Sequence, residues 1–284
     1  MASFEDSFKS KDNTMLYWQG RKAAGDVRGV VCLVHGIGEH SNRYQHMAEF
    51  FARKGFHFSA FDLRGHGKSE GIRGDAPSYA ALMDDIQSFL DYSGKKFPSL
   101  PVFIYGHSLG GNLVLNFLLR RHPAVKGVII SAPALGLAYD PPKVKMLVGR
   151  VLSKVLPTLA IASDLDTSAL SRDVAVVQAY VQDPLVHDRV TGRMAFGFMD
   201  AGDWALAHAE QLDTPTLLMH GSADKLTSLQ ASRRFAKKAG DICEFVLWEG
   251  FFHELHNEIG KEDVFEYVLN WMNTLSGNKG RASK

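Results

Sequence analysis

The sequence predicts an α/β fold, a mostly parallel central sheet flanked by helices. Three observations carry that reading. Short apolar or β-rich runs recur at 29–34, 56–61, 102–105, 127–131, 215–219 and 243–248, the pattern of strands buried on both faces. Amphipathic stretches separate several of them, as a doubly wound sheet requires. Finally, His35, Asp62, Ser108 and Ser131 stand where these runs stop, at the strands' carboxyl ends, the edge on which such sheets carry function.

In chain order, 15–18 reads as an early strand and 29–34 as the first buried one. Residues 41–54 then read as a helix with Tyr44, Met47, Ala48 and Phe51 on one face. The strand at 56–61 runs into a glycine-rich loop, Asp62 to Gly71, and 79–95 is helical, with Leu82, Ile86, Phe89 and Leu90 as its stripe. After 102–105 comes Gly106-His107-Ser108-Leu109-Gly110-Gly111, and then Leu113, Val114, Phe117 and Leu118 at helical spacing. From 136 to 206 the alternation lapses. This stretch holds Pro141-Pro142, Asp183-Pro184 and a basic amphipathic segment, 143–156. In that segment Val144, Leu147, Val148, Val151, Leu152 and Val155 share an apolar face flanked by Lys143, Arg150 and Lys154. The expected organisation is a core of 1–135 and 207–284 interrupted by an inserted cap, 136–206. Helices are expected at 228–239 and 264–275, and a disordered polar tail at 278–284.

Composition narrows the classes. A net charge of +1 gives no electrostatic case for nucleic acid as a partner. Cys32 and Cys243 both sit in apolar runs, as buried free thiols rather than a disulfide framework. The first residues lack the basic and apolar regions of a secretion signal, and no apolar stretch is long enough to span a bilayer. The expected location is therefore cytoplasmic.

Strand, Gly-x-Ser-x-Gly, helix is the context of a nucleophile elbow. A serine hydroxyl needs a base, and the base needs a carboxylate to fix its tautomer. Asp224 follows the 215–219 strand and His253 follows the 243–248 strand, so Ser108, Asp224 and His253 all fall at strand ends and in the chain order that this elbow requires. Asp213 is a rival acid but precedes its strand; His256 is a rival base but lies beyond the loop. The oxyanion is assigned the N–H groups of Leu109, next to the nucleophile, and of Ile37, in the loop after 29–34. His253-Glu254-Leu255-His256 is one residue short of His-Glu-x-x-His, so it does not set two imidazoles on one helical face, and no metal is expected. Gly65-His66-Gly67-Lys68-Ser69 looks like the end of a P-loop but has Asp62 where that motif needs glycine.

Taken together these residues resemble the α/β-hydrolase superfamily, and more closely monoacylglycerol lipases. The resemblance spans roughly 15 to 275. It rests on His35-Gly36-Ile37-Gly38-Glu39-His40-Ser41-Asn42-Arg43-Tyr44, on 65–71 and 106–111, and on Leu156-Pro157, Leu170-Ser171-Arg172, Asp183-Pro184-Leu185, Gly221-Ser222-Ala223-Asp224 and 249–253. It implies an α/β-hydrolase fold with an inserted helical cap, a serine esterase without cofactor and a lipid ester substrate. The apolar face of 143–156 suits peripheral membrane contact through the cap, and it equally suits covering the hydrolase body. The resemblance also implies a glycerol pocket formed by Glu39, Arg43, His107 and Tyr180. Glu39 and Arg43, at i and i+4, equally suit a local ion pair. Ile37 is bulkier than the residue expected there and would narrow the alcohol pocket. A broader carboxylesterase or lysophospholipase on the same triad, and a non-catalytic binding protein of this fold, are the alternatives.

Overall fold

The computed structural model describes residues 1–139 and 143–277. Pro141, Pro142, the tail 278–284 and the side chains of Lys143, Val144 and Leu152 lie outside the described residues. The strands are β1 Ser3–Lys9, β2 Met15–Arg21, β3 Gly29–Val34, β4 Phe56–Phe61, β5 Val102–His107, β6 Gly127–Ser131, β7 Ala160–Ala162, β8 Arg189–Thr191, β9 Thr216–Gly221 and β10 Cys243–Trp248. The helices are α1 Gln45–Arg53, α2 Tyr79–Lys96, α3 Leu109–Arg121, α4 Lys143–Val155, α5 Val174–Gln182, α6 Gly192–Ala207, α7 Leu229–Ala239 and α8 Lys261–Leu275. One eight-stranded sheet runs β1-β2-β4-β3-β5-β6-β9-β10. β1 and β2 join it antiparallel, and every pairing from β4 to β10 is parallel.

The strands divide their side chains between two cores because successive residues point to opposite faces. Val30, Cys32, Val34 and Ile104 meet α2 and α3 on one face; Val31, Leu33, Phe103 and Tyr105 meet α1 and α8 on the other. The parallel register sets Val34 beside Gly106 and His107 beside Ser131, so the strand ends form one edge. Helix starts are fixed locally: the Ser78 hydroxyl accepts from Ala81 N–H at 3.1 Å and the Ser228 hydroxyl from Ala231 N–H at 3.2 Å.

β1 was not expected. Its Ser-Phe-Glu-Asp-Ser-Phe-Lys is too acidic to read as a buried strand, but it is an edge strand that needs only two inward rings. Phe4 stacks on Trp18 at 4.2 Å, and Phe8 is buried. The first turn of the helix expected at 41–54 is 3-10, and α1 begins at Gln45. Between β6 and β9 the chain leaves the sheet to form α4, α5, α6 and the small β7–β8 pair. α6 packs back on α3: Asn112 Nδ2 donates to the Phe198 carbonyl and Asn116 Nδ2 to that of Ala201, each at 3.0 Å. Cys32 and Cys243 are buried free thiols. No described helix is long and apolar enough to cross a membrane.

Candidate active site

Ser108 occupies the single residue between β5 and α3, at φ 53° and ψ −116°. A non-glycine residue in this region costs about 1–3 kcal/mol, which the surrounding backbone must hold in place. Close packing does so. A Cβ on Gly110 would lie 2.1 Å from the Val34 carbonyl oxygen, and one on Gly106 would lie 2.8 Å from that of Gly110. Only glycine lets β3, β5 and α3 approach this closely. Ser108 N–H donates to the Ser131 carbonyl at 3.0 Å, tying the turn to β6.

Ser108, His253 and Asp224 form one chain of hydrogen bonds. Ser108 Oγ lies 3.0 Å from His253 Nε2, and His253 Nδ1 lies 2.8 Å from Asp224 Oδ2. Asp224 is held by its own loop: Oδ1 accepts from the N–H groups of Leu226 and Thr227 at 2.7 and 3.1 Å, and the Thr227 hydroxyl donates to Oδ2 at 2.8 Å. His220, at the end of β9, places Nε2 3.2 Å from the same Oδ2. Burial alone would raise the Asp224 pKa, but the charge of His253 and the hydrogen bonds of His220 and His253 hold it well below the carboxylate range. Burial likewise works against a charged His253, yet the charge and hydrogen bond of Asp224 raise it above the usual 6.5. This geometry suits a serine whose proton passes to a buried imidazole backed by a permanent anion.

Leu109 opens α3, so its N–H has no partner inside the helix and faces the turn that carries Ser108. Ile37 and Gly36 line the same small cavity as Ser108 and His253. Glu39, His107 and Tyr180 line it too; Arg43 lies behind its wall. The Arg43 guanidinium donates to Glu39 at 2.7 Å and grips Glu254 with two bonds of 2.6 and 2.7 Å. It also lies over the Tyr180 ring, 4.6 Å from the centroid. Glu39 further accepts from Gly36 N–H at 2.7 Å and from the Tyr44 hydroxyl at 2.8 Å. Burial opposes the charge on both carboxylates, but the Arg43 guanidinium holds each below its usual range. Among the described residues the Tyr180 hydroxyl has no hydrogen-bond partner, which leaves it available to a ligand.

The rivals fall elsewhere. Asp213 pairs with His122 at 2.6 Å on the surface. His256 stacks on Tyr44, ring centroids 4.3 Å apart, and meets His107 edge-on rather than Ser108. Burial pushes the pKa of His256 well down and, with the nearby charge of His253, that of His107 to about 4. The ligand atoms of His107, Glu254 and His256 come within 4.8 Å of one another. That set suits a metal poorly, because Arg43 and Asn257 already occupy the Glu254 oxygens and the guanidinium repels a dication. Asp62 accepts from Ser41 and Lys68 N–H at 2.8 Å each, so it cross-links the glycine-rich loop to the helical turn that begins at Ser41, and its negative charge disfavours an anion there.

Sequence reasoning missed Glu254, Thr227 and His220. Glu254 was weighed only as part of a zinc motif, although it directly follows the base. His220 stands four residues before Asp224, a spacing that invited a test for a second partner.

Known proteins share this sequence pattern and fold. Residues 25–260 match the family described as "Serine aminopeptidase, S33". An uncharacterized abhydrolase domain-containing protein of Dictyostelium discoideum is 38% identical over 85% of this chain, which spans 26% of that protein. The monoacylglycerol lipase of Mycolicibacterium smegmatis is 32% identical over 87% of this chain and 89% of its own length. The Homo sapiens monoglyceride lipase is 30% identical over 94% and 88% respectively. The crystal structure of Paleococcus ferrophilus monoacylglycerol lipase superposes with a TM-score of 0.82 at 32% identity, covering 97% of this chain and all 100% of that one. A soluble variant of Saccharomyces cerevisiae monoglyceride lipase with a substrate analog, at 23% identity, reaches 0.84 over 96% and 94% and supports the fold. With its parallel sheet, its serine elbow and these relatives, the chain belongs to the serine aminopeptidase S33 family of α/β-hydrolases and is a hydrolase of the monoacylglycerol lipase type.

Proposed function

We propose that this chain hydrolyses monoacylglycerols to glycerol and a fatty acid through an acyl-enzyme. The observation that carries the reading is the hydrogen-bonded chain from Ser108 through His253 to Asp224, at the N-terminus of α3. In this reading Ser108 Oγ attacks the ester carbonyl and His253 Nε2 takes its proton. The N–H groups of Ile37 and Leu109 stabilise the oxyanion. His253 then protonates the departing glycerol oxygen, activates a water against the acyl-enzyme, and returns the proton to Ser108 as the acid leaves. Asp224 stays ionised throughout. The chemistry asks for no cofactor.

The cavity beside Ser108 is only about 20 Å³, room for scarcely more than one water, and Leu165, Leu170 and Tyr180 of the 136–206 segment line it, so in this reading the part of that segment which carries them moves aside as a cap to admit substrate. A separate apolar groove of about 320 Å³, lined by Met146, Leu156, Leu159, Ile161, Phe196 and Met199 and sharing no lining residue with the Ser108 cavity, is proposed to take the acyl chain once the cap has opened between them. The glycerol end is assigned to Glu39, His107 and Tyr180, with Arg43 acting on it through Glu39. Hydrolysis of a long-chain monoacylglycerol, a lysophospholipid and a nitrophenyl ester, alongside labelling of Ser108 by a fluorophosphonate, tests the whole reading. A preference for lysophospholipid, or no preference, makes the chain a lysophospholipase or a broad esterase; an unlabelled Ser108 removes the catalytic reading.

Tyr180→Phe is expected to lower kcat/KM on monoacylglycerol up to about tenfold while a methyl ester of the same acid is hardly affected, since a net hydrogen bond is worth about 0.5–1.5 kcal/mol. Equal losses on both esters would reassign Tyr180 to packing. Arg43→Ala is expected to lower both substrates together, because it strands two buried carboxylates.

The cap is also proposed to meet the lipid surface. Leu147, Val148, Val151 and Val155 of α4 are exposed together on one helix, an apolar face available to lipid. Leu147→Asp with Val151→Asp is expected to reduce co-sedimentation with phospholipid vesicles and turnover of long-chain substrate, and to spare a soluble short-chain ester. Unchanged co-sedimentation would remove the membrane role.

A further inference from the structure

The loop that carries the base and the loop that carries Ile37 share one buried cation. Arg43 holds Glu39, two residues after Ile37, and Glu254, the residue after His253, at 2.6 to 2.7 Å. Both carboxylates and the guanidinium are under 10% exposed. Glu254 is fixed further: Asn257 Nδ2 donates to its carboxylate at 2.7 Å, and its N–H donates to the Leu170 carbonyl at 2.8 Å. Two carboxylates and one guanidinium leave the cluster with one net negative charge, and both carboxylates line the same small cavity as Ser108 and His253.

We propose that Glu254 is a positioning residue for His253, fixing the imidazole through the Arg43 clamp and supplying a second anionic field for the imidazolium formed as Ser108 loses its proton. This rests on the reading of Ser108 and His253 as nucleophile and base. A buried ion cluster is costly to assemble and a hydrophobic set would fill the space as well, so its presence on the residue next to the base points to a role in charge and geometry. The groups facing His253 account for the field. Asp224, and Thr227 with its hydroxyl 3.4 Å from His253 Nδ1, come from the loop after β9, and His220 acts through Asp224 from the end of that strand; Ser108 and His107 come from the end of β5; Glu39 and Arg43 from the segment after β3; Glu254 and His256 from its own segment. Of these, Asp224, Glu254 and Glu39 favour a charged His253, and burial opposes it.

Fluorophosphonate labelling rates across pH, measured on the full chain, test this without needing a lipid substrate. Glu254→Gln keeps the volume and removes the charge. It is expected to move the acid limb of the labelling rate to lower pH by about half to one unit, and to lower the plateau about tenfold as the imidazole loses alignment. Glu254→Asp keeps the charge but shortens the reach, so its limb should stay while its plateau falls. A Gln variant that keeps the wild-type limb overturns the field, and a plateau at wild-type level in both variants overturns the positioning. If the Gln variant does not fold, the Asp variant decides alone: a plateau at wild-type level overturns the proposal. Failure of the wild-type protein to label at Ser108 is a separate result that removes the catalytic reading itself.

Discussion

Ser108→Ala is expected to abolish ester hydrolysis, with a loss of at least about a thousandfold in kcat and a fold that survives. The size follows from what remains. In the proposed mechanism no acyl-enzyme forms without the hydroxyl, and the oxyanion donors proposed at Ile37 and Leu109 together with substrate binding would leave only a small residual rate over water. The fold should survive because, among the described residues, the Ser108 side chain is bonded to His253 alone; the turn is held by backbone, through Ser108 N–H to Ser131 and the glycine contacts. Alanine is no better suited than serine to φ 53°, so no relief of strain is gained. Turnover of monoacylglycerol and the thermal midpoint, measured on the same preparation, check both halves. A variant keeping a tenth of wild-type turnover would show that Ser108 is not the nucleophile.

What the sequence made legible was what repeats or punctuates. The buried strands of the parallel sheet announce themselves because a strand covered on both faces has little choice but apolar residues, as in β3 and β6. The strained turn at Ser108 is equally visible, because the glycines that permit it flank it directly. Asp224 and His253 could be located only relative to the strand ends, and the register of β9 and β10 brings both loops to that edge. What could not be read depends on neighbours distant in sequence. β1 is a strand because Phe4 and Phe8 find Trp18 and Phe61, and no local pattern announces that. Glu254 meets Arg43 across 211 residues. The i, i+4 spacing of Glu39 and Arg43 suggested their ion pair, but not that a second carboxylate would claim the rest of the guanidinium. α6 illustrates the same limit: it lies in the stretch where alternation lapses, yet Asn112 and Asn116 bind it to the core.

His253→Ala is expected to be as inactive as Ser108→Ala, and the double variant no worse than either, because residues acting as one unit do not lose independently. Asp224→Asn should lower kcat about ten-thousandfold while keeping shape, since an amide cannot hold His253 in the tautomer that accepts from Ser108. His256→Ala is the control. Its ring touches Tyr44 and His107, and neither of its nitrogens has a hydrogen-bond partner among the described residues, so its loss costs packing and spares most of the rate. The reverse ranking of His253 and His256 would move the base. The pH dependence adds a sign. His253 accepts the proton only when neutral, and its pKa is raised, so kcat/KM should climb with pH through an inflection above the ordinary 6.5. Stability runs the other way at this residue. A raised pKa contributes stability that is fully present below the unfolded value of about 6.5 and is lost as pH rises through the folded value. Asp224, with its pKa depressed, contributes stability that is present above its unfolded value of about 3.9 and is lost only as pH falls toward the folded one. From about pH 6.5 upward through the raised folded value of His253, the wild-type protein should gain activity and lose the His253 share of its stability over one pH interval. His253→Ala should flatten that component of the stability profile, while Ser108→Ala keeps it. Chemical denaturation of the three proteins across that interval reads the difference directly, and parallel profiles for wild type and His253→Ala would mean that the imidazole is not charged by its partner.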